Sequence, residues 1–226
     1  MTIAESLAAV RARIDASATA AARDPASVKL VAVSKTHRPE AIREAYAAGQ
    51  RAFGESYAQE LDAKAAALAD LAGIEWHFIG HLQTNKAKVV ARVAHVVHAV
   101  HSRDLAAELG KRAAAAGRAP LPVLAEVKLS AEASKHGAPP ADLGALLDAI
   151  SGDARLRLRG LMTMPPPDDL AAARRVFDEL AALREKHGGA ARLPELSMGM
   201  TNDFEIAIAA GATIVRVGTA IFGSRD

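Results

Sequence analysis

Two stretches far apart in the chain carry residues whose types and spacing suit chemistry. Lys29-Leu30-Val31-Ala32-Val33-Ser34-Lys35 is an apolar run that ends in a lysine, and Ile214-Val215-Arg216-Val217-Gly218-Thr219 is an apolar run with an arginine inside it. Side chains alternate along a strand, so Val31, Val33 and Lys35 share one face, and Ile214, Arg216 and Gly218 share another. A partly desolvated lysine at a strand end loses its charge readily and can form a Schiff base with a carbonyl. The plainer reading of Lys35 is a side chain that merely reaches solvent. Arg216 is harder to explain plainly, because a guanidinium in a strand buried on both faces is costly unless an acceptor meets it. That acceptor is either a carboxylate of the protein or a ligand phosphate or ring nitrogen. Gly218-Thr219 favours a ligand, since glycine lets backbone N–H groups approach an anion and threonine adds a hydroxyl donor.

Ser197-Met198-Gly199-Met200-Thr201 offers a second loop of the same chemistry, running into a helix N-terminus with its free N–H groups. In the plainer reading Thr201 and Asn202 only cap that helix and the methionines fill core. Trp76-His77-Phe78-Ile79-Gly80-His81-Leu82-Gln83-Thr84-Asn85-Lys86 is the densest polar cluster. His77 and His81 have the spacing of helical zinc ligands, but the stretch reads as strand and loop and lacks the His-Glu-x-x-His pattern, so a metal is not expected. His77 reads as a hydrogen-bonded residue of a strand. Asn85 and Lys86 either face the site or cap a short helix.

The elements that must position these residues alternate along the chain. Thr2 and Glu5 form a capping-box pattern for a helix over 3–22. Strands are predicted at 29–35, 51–55, 75–80, 94–101, 122–129, 156–164, 195–198 and 213–217. Helices are predicted from Pro39 to Gly49 and at 57–71, 85–91, 103–116, 141–150, 168–186 and 202–210, the last with Asn202 and Glu205 in capping-box positions. Strands alternating with helices imply a parallel sheet, and eight such units in 226 residues point to one closed (β/α)8 barrel over 1–226, with an extra N-terminal helix. An open doubly wound sheet is the alternative, but no Gly-rich dinucleotide turn follows the first strand. In such a barrel the strand C-termini form the active-site mouth, and an anion site after the last two strands recurs.

Composition narrows the function classes. Half of the residues are apolar, Lys plus Arg (28) nearly balance Asp plus Glu (26), and aromatics are 4%. Neither a basic run nor an aromatic platform argues for nucleic acid. Cysteine is absent, which removes disulfides, thiolate catalysis and Cys-type zinc sites and fits a cytoplasmic protein. Glu5, Arg11 and Arg13 break any signal-peptide core, and no run reaches the ~20 apolar residues of a membrane span.

Lys29 to Thr36, Phe53-Gly54-Glu55, the Trp76 to Lys86 stretch, Gly160-Leu161-Met162, Ser197-Met198-Gly199-Met200 and Val215 to Gly223 fall in an order that resembles the pyridoxal 5′-phosphate homeostasis proteins, the YggS/PROSC-type family. The resemblance covers nearly the whole chain, and its Trp-His-Phe-Ile-Gly-x-Leu-Gln-x-Asn-Lys run is the most specific part. It implies a barrel like the alanine racemase N-terminal domain, with pyridoxal 5′-phosphate held as a Schiff base on Lys35. Thr201, Gly218 and Thr219 would hold the phosphate, with Ser197 and Met200 nearby. Arg216 would meet the pyridine nitrogen, or failing that the phosphate; an arginine there keeps the nitrogen unprotonated and weakens the ring as an electron sink. The sequence departs from the pattern at Ser56, where an asparagine is usual, at His37, often a lysine, at Lys128, commonly an asparagine, and at Thr201, which replaces a serine but keeps the hydroxyl.

Racemases of this class take a second base from an additional β-domain, and this chain ends at Asp226, just after the Phe222-Gly223 turn. The resemblance therefore implies a monomeric carrier of the cofactor in vitamin B6 homeostasis, with little or no turnover and with pyridoxal-phosphate-dependent apo-enzymes as partners. Two alternatives stay open: an amino-acid racemase or lyase using Lys35 as its single base, and a cofactor-free barrel that forms a Schiff base with a phosphosugar. Lys64 and Lys135 could carry secondary adducts, though exposed lysines are usually only solvated.

Overall fold

The capping box forms as the sequence predicts: Glu5 N–H donates to Thr2 Oγ1 (3.2 Å) and Thr2 N–H to Glu5 Oε2 (2.7 Å). It starts α1 (Ile3–Ala20), whose Leu7, Val10, Ile14 and Ala18 form one buried stripe. A computed structural model describes residues 1–130 and 136–223. After α1 the chain lays down β1 (Lys29–Val33), α2 (Pro39–Ala47), β2 (Ala52–Glu55), α3 (Ala58–Ala67), β3 (Glu75–Phe78), α4 (Ala87–Val93), β4 (Val96–Val100) and α5 (Arg103–Ala115). It continues with β5 (Leu121–Glu126), α6 (Leu143–Ser151), β6 (Leu156–Met162), α7 (Leu170–Lys186), α8 (Gly189–Arg192), β7 (Glu195–Ser197), α9 (Phe204–Ala209), β8 (Ile214–Val217) and α10 (Thr219–Phe222). Each strand pairs in parallel with the next, and β8 closes on β1, Lys29 opposite Ile214 and Ala32 opposite Val217. The result is the closed (β/α)8 barrel expected. No helix among the described residues is long and apolar enough to cross a membrane.

Alternation sorts the strand residues into two cores. Ala32, Phe53, Trp76, Phe78, Val97, Val123, Leu161, Leu196, Val215 and Val217 pack outward against the helices in one large cluster. The inward set forms two small clusters, Val31 with Ala52 and Ile214, and Val96 with Ala99, Leu124 and Met162. Small inward side chains leave room in the barrel for polar ones, and the polar ones gather there.

Several predicted boundaries move, and the reasons are local. The strand predicted over 29–35 stops at Val33, so Lys35 stands on the turn after β1 and not on the strand itself. The strand predicted over 156–164 stops at Met162, and Thr163, just beyond it, donates its hydroxyl to Val127 O (2.9 Å). The predicted capping box at Asn202 and Glu205 does not form. The helix starts later, at Phe204, with Asp203 at its N-cap, and Glu205 pairs with Arg13 instead. Gly188-Gly189 closes α7 but Gly189 also opens the short α8, which the sequence does not announce. Lys135 lies outside the described residues.

The turn that carries Lys35 is fixed from behind by a buried ion cluster. Lys64 Nζ, on α3, donates to Glu55 Oε1 (2.8 Å), Glu60 Oε2 (2.9 Å) and Ser34 O (2.7 Å). Ser34 Oγ donates to Glu55 Oε1 (2.7 Å) and Thr36 N–H to Glu60 Oε2 (2.8 Å), with Thr36 in the left-handed region at φ 68°. Lys64 is therefore neither exposed nor solvated, as the sequence suggested, and all three of its N–H donors are spent within the protein. Burial raises the pKa of Glu55, and Lys64 is the main force against it. Lys64→Met leaves the Glu55 carboxyl buried without its partner. The expected loss is about 3–5 kcal/mol of unfolding free energy in urea titrations, with most of it recovered in Glu55→Gln/Lys64→Met; equal stability of the single variant and wild type would contradict the role assigned to the cluster.

Candidate functional site

A cavity of about 400 Å³ opens at the C-terminal mouth of the barrel, where the turns after β1, β7 and β8 meet. Its wall brings together Lys35, Met200, Thr201, Arg216, Gly218 and Thr219, drawn from both ends of the sequence. Val33 and Ile79 add apolar surface, and Ser56, Met164, Asp168, Asn202 and Asp203 complete the rim. Among the described residues, the N–H groups of Thr201, Asn202, Gly218 and Thr219 find no acceptor within the protein. They stand beside the Thr201 and Thr219 hydroxyls and form a cluster of donors suited to a phosphate-sized anion. Gly218 is needed for closeness: a Cβ there would sit 3.1 Å from Val33 O and 3.3 Å from Val33 Cβ.

The turn after β7 is held tightly. Gly199 has φ 94°, and a Cβ on it would lie 2.6 Å from that of Ala207, so only glycine fits. Its carbonyl accepts from Arg216 N–H at 2.9 Å, and Asp203 Oδ1 accepts from Met200 N–H at 2.5 Å. Asp203 thus closes the turn, and Thr201 and Asn202 do not serve as helix caps.

Arg216 lies on the inward face of β8, 3% exposed. Its Nη1 donates to Ser197 Oγ (2.7 Å) and its Nη2 to Thr163 O (3.0 Å). These acceptors are neutral, so the protein leaves the guanidinium charge without a direct carboxylate partner, among the described residues. Burial lowers its pKa to about 10, against Asp203 and Glu126, so it is charged at neutral pH. Ser197 is fully buried and does not line the cavity; it supports Arg216 from below. His77 points inward and meets His98 (Nδ1···Nε2 2.8 Å), whereas His81 is exposed and stacks on His136 at 3.6 Å, so the two histidines belong to different places. Asn85 is exposed in the Thr84–Lys86 turn, and neither it nor Lys128 lines the cavity. His37 packs its ring on Phe222 beside the site (5.1 Å). Sequence reasoning missed Asp168, Asp203, Thr163, His98 and Glu126. The last two had a visible signal, a polar residue inside a strand otherwise apolar on both faces.

The alanine racemase N-terminal domain family matches residues 6–226. A pyridoxal phosphate homeostasis protein of Pseudomonas aeruginosa is 50% identical over all of this chain and 96% of its own. One of Escherichia coli K12 is 43% identical over 99% of this chain and 97% of its own. Among solved structures, PipY of Synechococcus elongatus PCC7942 with PLP bound is 42% identical, covers 98% of this chain and 100% of its own, and superposes with a TM-score of 0.84.

Glu126 is the second buried charge of the interior, 2% exposed, with Oε2 lacking a hydrogen bond among the described residues. Burial pushes its pKa from 4.5 up to about 7, with Arg216 pulling the other way. As pH rises the unfolded chain releases this proton first, so stability falls between about pH 4.5 and 7. The total is about 3 kcal/mol at 1.4 kcal/mol per unit. Glu126→Gln, which mimics the protonated acid, is expected to remove that slope: near wild-type stability at about pH 4 and a gain of this order at about pH 8 in urea titrations. Parallel wild-type and variant profiles would contradict the assignment.

Proposed function

The chain belongs to the pyridoxal phosphate homeostasis protein family, built on the alanine racemase N-terminal domain, and we propose that it holds pyridoxal 5′-phosphate in the C-terminal cavity, with Lys35 as the attachment point, as a carrier for vitamin B6 homeostasis. The observation that carries this reading is the convergence, in one cavity, of an amine, a cluster of unspent N–H and hydroxyl donors, and a buried charged arginine. An amine suits the aldehyde of the cofactor, the donors suit its phosphate, and the arginine suits its ring nitrogen.

The bound cofactor supplies an aldehyde and a conjugated ring able to take up electron density. The protein's part is to orient it. Thr201, Gly218 and Thr219 hold the phosphate by backbone and hydroxyl donors. Arg216, fixed by Ser197 and Thr163, would meet the pyridine nitrogen; a positive charge in contact with that atom disfavours its protonation. Met200 and Val33 line the cavity and would lie against the ring. Ser56, at the position where the family usually has asparagine, lines the same cavity and would offer the ligand a hydroxyl.

The carrier reading, with little or no turnover, is favoured by the chemistry of the wall. Among the described residues lining the cavity, Lys35 is the one amine. The acids are Asp168 and Asp203, and Asp203 is tied to the Met200 N–H. Racemisation needs a base on each face of the substrate carbon, and among the described residues the wall offers, beside Lys35 and the tied Asp203, the exposed rim carboxylate of Asp168. Its clients are pyridoxal-phosphate-dependent apo-enzymes, and it acts as a monomer.

The purified protein mixed with pyridoxal 5′-phosphate is expected to gain a visible band that borohydride bleaches, leaving a covalent label on the Lys35 peptide, while Lys35→Ala stays colourless. Thr219→Val is expected to weaken binding by roughly tenfold, the worth of one hydrogen bond to a charged group. A wild type that takes up no cofactor, but is trapped by reduction once a sugar phosphate is added, would overturn the reading in favour of a phosphosugar barrel. Lys35-dependent turnover of an amino acid at roughly 1 per second or faster would overturn the carrier.

A further inference from the structure

Inside the barrel a row of polar side chains runs from one mouth to the other, and the cavity uses only its last member. Arg216 Nη1 donates to Ser197 Oγ (2.7 Å), Ser197 Oγ lies 2.8 Å from His98 Nδ1, and His98 Nε2 lies 2.8 Å from His77 Nδ1. His77 Nε2 has no hydrogen bond of good geometry; the nearest acceptor is Glu75 Oε1 at 3.4 Å. Ser197 and His98 are fully buried and His77 is 1% exposed. Glu75 stands at the N-terminal mouth, bound by Lys29 Nζ (2.9 and 3.0 Å), on the wall of an open cavity of about 570 Å³. Four strands contribute, β3, β4, β7 and β8, so the row crosses the interior and does not follow one strand.

The order of protons along the row follows from its ends. A guanidinium only donates, and a carboxylate only accepts. Ser197 Oγ accepts from Arg216, and its own proton has one acceptor among the described residues, His98 Nδ1. Burial first, then His77 and Arg216, hold the pKa of His98 well below the ordinary range, so its ring is neutral and carries one proton. With Nδ1 accepting, that proton sits on Nε2 and is donated to His77 Nδ1. His77 is left with its proton on Nε2, facing Glu75. The reverse order would put a second donor on Ser197 Oγ and leave the serine proton without an acceptor in a dry interior, which is unfavourable.

We propose that His77, His98 and Ser197 form a one-way hydrogen-bond chain that positions Arg216 at the cavity and, through the 3.4 Å approach of His77 Nε2 to Glu75, couples it to a carboxylate at the opposite mouth of the barrel. The functional consequence rests on the reading of the cavity as a pyridoxal 5′-phosphate site; the proton order belongs to the protein alone. His98, His77 and Glu75 are positioning residues, since none of them lines the cavity. Removing Glu75 takes away the carboxylate that the His77 Nε2–H faces at 3.4 Å. The loss then passes to Arg216 through side chains that have no other hydrogen-bond partners among the described residues.

Nuclear magnetic resonance of ¹⁵N-histidine-labelled protein without ligand tests the order directly. His98 and His77 are expected as Nε2–H tautomers. Glu75→Ala, at a half-exposed position remote from the cavity, is expected to shift the visible band of bound pyridoxal 5′-phosphate and to speed its release by about threefold or more. Arg174→Gln, on the outer face of α7, serves as the control and should match wild type. A His98 proton on Nδ1 would overturn the chain's direction, and a Glu75→Ala protein with unchanged band and release rate would overturn the coupling. If wild type takes up no cofactor, the function proposed above fails while the tautomers still decide the proton order.

Discussion

A guanidinium cannot be left dry without acceptors, and much of this barrel's interior answers that constraint. Arg216 enters the core because β8 is one of eight strands with both faces covered, and its register turns residue 216 inward. Two neutral acceptors, Ser197 Oγ and Thr163 O, meet it on the protein side. Each is itself held: Ser197 by the paired histidines behind it, Thr163 by its hydroxyl on Val127 O. Neutral partners satisfy donors without cancelling charge. The positive charge therefore remains available at the floor of the cavity, where it also draws on Glu126 and Asp203 at longer range.

The amine at the other side of the cavity depends on a separate framework outside the barrel wall. Lys64, Glu55 and Glu60 grip the backbone on both sides of Lys35, at Ser34 O and Thr36 N–H. Arg216 is thus set from within the barrel and Lys35 from between the barrel and α3. The two frameworks share no residue, and the anion-friendly turns after β7 and β8 line the same cavity as the side chains they fix. A ligand that spans from an amine to a ring-nitrogen contact has both ends placed by rigid parts of the fold, and the phosphate donors come from turns whose shape Gly199 and Gly218 determine.

Most of the barrel was legible because alternation and punctuation agreed. Apolar runs ended at Gly, Pro or cap residues, and their spacing gave eight strands. Arg216 was legible for a specific reason: it broke an apolar strand with a charge that burial would not tolerate unpaired. The same signal was present at His98 in β4 and Glu126 in β5 and went unread, because those strands sit next to no recognisable loop chemistry. Lys64 was unreadable. Its α3 stripe of alanines hides which face is buried, and its partners come from three separate segments. Ser197 read as a cavity residue because it precedes the loop; the pleat turns it inward, beneath Arg216, and only the three-dimensional register reveals that.

In the proposed complex a charged Arg216, held by Ser197 Oγ and Thr163 O, faces the pyridine nitrogen of the cofactor. The most direct measurement is the ¹⁵N chemical shift of ring-labelled pyridoxal 5′-phosphate bound to the wild-type protein near neutral pH. An unprotonated nitrogen, which becomes protonated in Arg216→Glu, is the result the structure predicts. A protonated nitrogen in the wild type would contradict it and would place Arg216 on the phosphate or away from the ligand.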